Sequence, residues 1–189
     1  MKKSLGFTLI ELLLSITILA IVASYALPTF SDLTRRYKSE AKGRELFELL
    51  ILMRTKAYSE HKSYTLCPSE NGSSCGKDWA SGAILFADND RDGELDASEK
   101  IEHTLSKLED GATLNWNAFN NKGFITFRPN GTTPAQSGNF KYCPPGGEEK
   151  YGWFIILNTI GRPYFGKDRD GDGIVENGSG SPLTCDAKN

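Results

Sequence analysis

The sequence predicts an α+β protein: a long, kinked amino-terminal helix, membrane-spanning in its first half and packed by its second half on an antiparallel β head. Three observations carry this. An apolar run from Leu12 to Ala26 follows a short basic leader and is long enough, at ~1.5 Å per helical residue, to cross a hydrocarbon core. Leu46, Leu49, Leu50, Met53 and Ala57 then recur at helical spacing. From Ser63 onward, short apolar runs alternate with turn residues, the pattern of strands joined in hairpins.

The first element begins Met1-Lys-Lys-Ser-Leu-Gly6-Phe7-Thr-Leu-Ile-Glu11. An ordinary secretory signal is cut after its apolar segment, whereas here the cut-like position lies before it. Gly6-Phe7-Thr8-Leu9-Ile10-Glu11-Leu12 resembles the type IV prepilin signal. That resemblance implies cleavage between Gly6 and Phe7 by a prepilin peptidase, methylation of Phe7, and retention of the apolar helix. Glu11 separates this reading from a plain anchor, because a lone carboxylate in a lipid-facing helix costs a few kcal/mol and calls for a partner. In pilins that partner is taken to be the free amine of a neighbouring subunit.

Pro28 removes a helical donor and predicts a kink. Beyond it, Arg35, Arg36, Lys38, Glu40, Lys42, Glu45 and Glu48 form a solvated face around the apolar stripe. Gly43 weakens the helix by about 1 kcal/mol without ending it. One helix from about Phe7 to Ser59 follows. The expected strands are Tyr64–Cys67, Ala83–Ala87, Lys100–Leu105, Thr113–Trp116, Phe124–Arg128, Phe140–Tyr142, Trp153–Leu157 and Arg162–Phe165. No helix of crossover length separates them, which excludes a parallel sheet. The tail from Lys167 to Asn189 is expected to be loop, pinned near its end by Cys185.

Removing Met1 to Gly6 leaves 20 basic residues against 24 acidic, a balance of −4, which offers nucleic acid no broad attraction. Cys67, Cys75, Cys143 and Cys185 all lie beyond the membrane segment. Disulfides suit that compartment, and the cysteine spacing matches no zinc pattern. Of three connectivities, Cys67 with Cys75 and Cys143 with Cys185 is the simplest.

Arg54-x-x-Ala57, Tyr64-Thr-Leu-Cys67-Pro-Ser69, Trp79-x-x-Gly82, Phe86-x-Asp88-x-Asp90-x-Asp92-Gly93, Ile125-Thr-Phe127-Arg-Pro-Asn-Gly131, Phe140-x-x-Cys143 and Gly161-Arg162 are similar in order and spacing to the minor pilin and pseudopilin H family. The resemblance covers Gly6 to Arg162 and implies a type IV pilin-like fold. The chain would divide into a leader at 1–6, a transmembrane and filament-core helix at 7–28, the rest of the helix at 29–60 and a head at 61–189. The implied function is that of a minor subunit that helps initiate a type IV pilus, or the matching pseudopilin of a type II secretion system. It would sit in the inner membrane with its head in the periplasm, then in a surface filament, with other minor and major pilins as partners. Some members bind DNA near a Gly-Arg-x-Arg motif, so the alternative of another class is a DNA-binding pilin for natural transformation. This chain reads Gly161-Arg162-Pro163-Tyr164, and Lys167 and Arg169 alternate with acids, so DNA is not an expected partner.

Asp88-Asn-Asp90-Arg-Asp92-Gly93-Glu94-Leu-Asp96-Ala-Ser-Glu99 matches the twelve-residue calcium loop of EF-hands in its oxygen ligands, central glycine and terminal glutamate. The competing reading is a hairpin loop using Asp and Asn for turn hydrogen bonds. A shorter copy runs through Asp168, Asp170, Asp172, Gly173 and Glu176, where the twelfth position is Ser179. No cofactor is required, and calcium is the one ion these spacings fit. His61 reads as a solvated helix end and His103 as the wet face of a strand. No catalytic triad or phosphate-binding glycine loop is present, which excludes the common enzyme classes.

Overall fold

The computed structural model describes residues 8–120, 122–133 and 135–185, without the side chain of Pro28. The chain divides into two compact units, Met1–Lys38 and Ser39–Asn189. A single helix, α1, spans Leu9–Glu60 and passes position 28 without a break.

Within the first unit, α1 is long and apolar enough to cross a membrane. Its hydroxyls do not defeat that. Those of Ser15, Thr17, Ser24 and Thr29 donate to carbonyls three or four residues earlier, at 2.7–3.0 Å, so these four are satisfied within the helix.

In the second unit, the stripe expected from helical spacing is the buried one: Leu46, Leu49, Leu50, Met53 and Ala57 are all at most 3% exposed. Gly43 has a second role, because a Cβ there would stand 3.1 Å from the Trp153 ring and 3.2 Å from that of Phe165. Its bare backbone lets α1 lie against the sheet. The contact is fixed by polar bonds too: the Ser39 hydroxyl donates to the Tyr151 carbonyl, and the Trp153 indole N–H donates to the Ser39 carbonyl at 3.1 Å.

Eight strands follow: β1 (Tyr64–Pro68), β2 (Ala83–Ala87), β3 (Ile101–Leu105), β4 (Thr113–Ala118), β5 (Ile125–Phe127), β6 (Gly138–Cys143), β7 (Trp153–Leu157) and β8 (Pro163–Phe165). They form two antiparallel sheets, ordered β3-β2-β1-β5 and β4-β6-β7-β8. One core fills between these sheets and α1, with Trp79 and Trp116 packed on Phe140 and Tyr142 stacked on Trp153. Disulfides join Cys67 to Cys75 and Cys143 to Cys185.

The tail is more ordered than loop. Isolated bridges pair Lys167 with Glu176 and Glu176 with Pro182, and Leu183, 1% exposed, packs with Cys143, Phe154 and Ile156. Apolar residues so widely spaced carry no period, which hides such a satellite core from sequence.

Candidate functional site

The start of α1 is capped by its own sequence. Thr8 precedes the first helical residue, and its hydroxyl accepts the Glu11 N–H at 3.3 Å. Glu11 Oε2 in turn accepts both the Thr8 N–H and the Thr8 hydroxyl at 3.0 Å. This reciprocal pair is a capping box, whose Thr-x-x-Glu signature stands plainly in the sequence. Glu11 therefore has a local partner as well as a charge. Both bonds fall on Oε2. Gly6 and Phe7, the expected cleavage site, lie outside the described residues.

In the first acidic loop, β2 delivers Asp88 into the head, where it is fully buried. One oxygen accepts the Arg91 N–H at 2.6 Å and the other the Thr65 hydroxyl at 2.5 Å. Burial pushes the Asp88 carboxyl above the usual carboxylate range. These two bonds oppose the shift, and the charges of Glu99 and Asp90 add to it. At the other end of the loop, Glu99 folds back, accepting the Asn89 N–H at 2.9 Å and the Asp96 N–H at 3.2 Å. Asp88, Asp90 and Glu99 thus bring ligand oxygens within 4.8 Å of one another. Asp92, Glu94 and Asp96, predicted with them, do not join that cluster. Asp92 is occupied with the Glu94 N–H at 2.7 Å.

The tail loop repeats the plan. Asp168 accepts the Gly171 and Gly173 N–H groups at 2.7 and 2.8 Å, which hold its carboxyl below the usual range. Asp172 accepts the Ile174 N–H at 2.7 Å, as Asp92 accepts that of Glu94. Glu176 accepts the Arg169 N–H at 2.9 Å, as Glu99 accepts that of Asn89. Asp168, Asp170 and Glu176 form the second carboxylate cluster, with Glu176 only 6% exposed. The glutamate at the ninth position does here what the twelfth does in the longer loop, because the bridges at Glu176 draw it back across the turn. Asp172 stays outside the cluster. Spacing alone assigns this role to position twelve, where Ser179 stands.

Of the candidate DNA cations, Lys167 is bridged through its backbone to Glu176. Arg162 is exposed just before β8, with its backbone N–H on Asn158 at 2.9 Å, and Arg169 lies inside the acidic tail loop. The nearby family residues do assemble. Arg54 Nε donates to the Gly131 carbonyl at 3.1 Å, and a Cβ on Gly161 (φ +75°) would overlap that same carbonyl oxygen at 2.2 Å. Glycine is required there.

Residues 42–161 match the type II transport protein GspH family, which is nearly two thirds of the 189 residues. The chain belongs to that family. Residues 1–27 match the prokaryotic N-terminal methylation motif. This GspH-family chain is therefore a membrane-anchored subunit of the pilin and pseudopilin class, a structural protein and not an enzyme. No curated protein matches it. Among solved structures, the minor pilin FimU of Pseudomonas aeruginosa is 20% identical with a TM-score of 0.55, covering 80% of this chain and 98% of its own. A second crystal form of FimU gives 19% and 0.51, covering 68% and 92%. The pseudopilin EpsH of Vibrio cholerae is 10% identical with a TM-score of 0.49, covering 67% and 94%. The FimU likeness is one of fold: a long helix on antiparallel sheets.

Proposed function

We propose that the protein is a minor subunit of a type IV pilus, inserted in the inner membrane with its head in the periplasm. A prepilin peptidase cuts between Gly6 and Phe7, Phe7 is methylated, and the subunit joins other minor and major pilins at the filament tip to initiate assembly. The supporting observation is Glu11 in the first turn of an apolar helix. The capping box engages Oε2 alone, and a carboxylate in hydrocarbon is costly until a cation meets it. The amine of a neighbouring subunit is that cation. The test is Glu11→Gln, because glutamine also closes a capping box and removes only the charge. The variant is expected to be processed normally and to enter filaments at a small fraction of the wild-type level. Wild-type incorporation would falsify the role.

The family description favours a second reading, the equivalent pseudopilin of a type II secretion system. Deletion followed by separate assays of surface filaments and of exported protein distinguishes the two.

Calcium belongs to the same proposal. Three hard carboxylate donors at Asp88, Asp90 and Glu99, and three at Asp168, Asp170 and Glu176, suit a divalent cation with oxygen ligands. Calcium at a hundredfold excess over Kd stabilises by about 2.7 kcal/mol, a rise in Tm of roughly 5–10 °C for a chain of this size. Asp90→Ala is expected to remove the part of that rise due to the first loop. Equal melting in chelator and in calcium would withdraw the ion.

A further inference from the structure

A small basic cleft lies beside β5, on the edge of its sheet. It encloses about 140 Å³ between Arg91, Lys122, Phe124, Thr126, Arg128 and Gln136. Three of those six side chains are cations and none is an acid, on a chain whose overall charge is negative. Among the described residues, none of the three cations makes an ion pair. Lys122 is held over the Phe124 ring, Nζ to centroid 5.1 Å.

The polar groups between the cations have fixed orientations. Gln136, 6% exposed, accepts the Thr126 N–H on Oε1 at 2.7 Å. Its amide nitrogen therefore carries the remaining donors, and among the described residues that nitrogen has no partner. The same bond satisfies an N–H of the edge strand, so Thr126 does not offer it to an incoming strand. Thr65 spends its single hydroxyl proton on Asp88, so the 2.7 Å contact between Thr65 and Thr126 must be donated by Thr126. With its proton spent, the Thr126 hydroxyl can only accept, and what remains to donate to an occupant is the Gln136 amide and the three cations. The complement is an oxyanion.

A neighbouring cleft decides which oxyanion. It shares Phe124, holds about 450 Å³, and is lined by the Cys67–Cys75 disulfide, Pro68 and Leu95 together with two carboxylates, Asp92 and Glu94, against one cation, Lys77. A nucleic acid strand carries a phosphate every ~3.4 Å, and its next charges would meet those two carboxylates. A single carboxylate followed by an apolar side chain would not.

We propose that this paired cleft receives one carboxylate side chain, with an apolar residue after it, from a neighbouring subunit. The proposal rests on the assembly reading above, but its test does not use assembly. Full-length protein in detergent micelles is titrated with a blocked tetrapeptide containing glutamate followed by leucine, and with its glutamine counterpart, at low and physiological salt. The glutamate peptide is expected to bind about tenfold more tightly. That preference should vanish in Arg128→Gln and, separately, in Lys122→Gln, both exposed side chains. Equal affinity for the two peptides, or no binding at millimolar peptide, overturns the proposal. Inorganic phosphate matching the glutamate peptide reduces the site to a simple anion pocket and overturns the paired cleft. A ten-base-pair duplex that displaces the peptide overturns it in favour of a polyanion. Each of these failures leaves the Glu11→Gln result standing on its own.

Discussion

Two tyrosines set the behaviour of the head in alkali. Tyr64 is pushed up to about 12, first by burial and then by donating its hydroxyl to Glu60 at 2.6 Å. Tyr142 is pushed up to about 12 by burial, with the charge of Glu109 adding to it. A group whose folded pKa lies above its unfolded value contributes its stability in full below the unfolded pKa. For these phenols that is pH 10, and the contribution is lost as pH climbs through 12. Each is worth about 3 kcal/mol at the lower limit. Denaturant midpoints measured at pH 9 and pH 11.5 are expected to fall steeply for the wild type. Tyr142→Phe, which keeps the ring against Trp153, is expected to flatten that fall by about half. Residue-scale causes are also where sequence reading is blindest. Gly43 reads as a helix weakness until the Trp153 and Phe165 rings are seen above it, since no local pattern records which ring will arrive from over a hundred positions away.

Among the elements, α1 and the strands were legible. The helix stripe falls on Leu46 to Ala57 because a 3.6-residue period is a local property, and each predicted strand has its counterpart within two residues at either end. Their division into two sheets was not legible. The turn signals that separate β3, β4 and β5 look alike, yet β4 pairs with β6 while β5 returns to β1. Pairing of that kind is settled by packing at long range. The acidic loops were half legible: aspartates at alternate positions announce carboxylates that can converge, but only the backbone selects Asp88, Asp90 and Glu99, or moves the closing glutamate to Glu176. The disulfides stabilise these elements unequally. Loop closure over 8 residues is worth about 2.5 kcal/mol and over 42 about 4 kcal/mol. Replacing Cys143 and Cys185 with Ser is expected to cost the larger sum and to raise proteolysis in the tail. The Cys67 and Cys75 double variant should leave the tail as resistant as before.

At the scale of the whole molecule, chemistry is divided between the two units. The first carries an apolar helix with one carboxylate at its start. The second carries every disulfide, both acidic clusters and the basic cleft. The family to which the chain belongs was legible because its motif residues are structural necessities: Gly161 sits where no side chain fits, and Arg54 closes onto Gly131. The Cys143–Cys185 bond has a mechanical consequence. It ties the end of the chain to β6, an interior strand of its sheet. A pull on the tail is carried covalently into the middle of that sheet, before β8 or β7 can peel away. The 42-residue span it closes, ~140 Å of contour at about 3.4 Å per residue, cannot be drawn out under tension while the disulfide is intact.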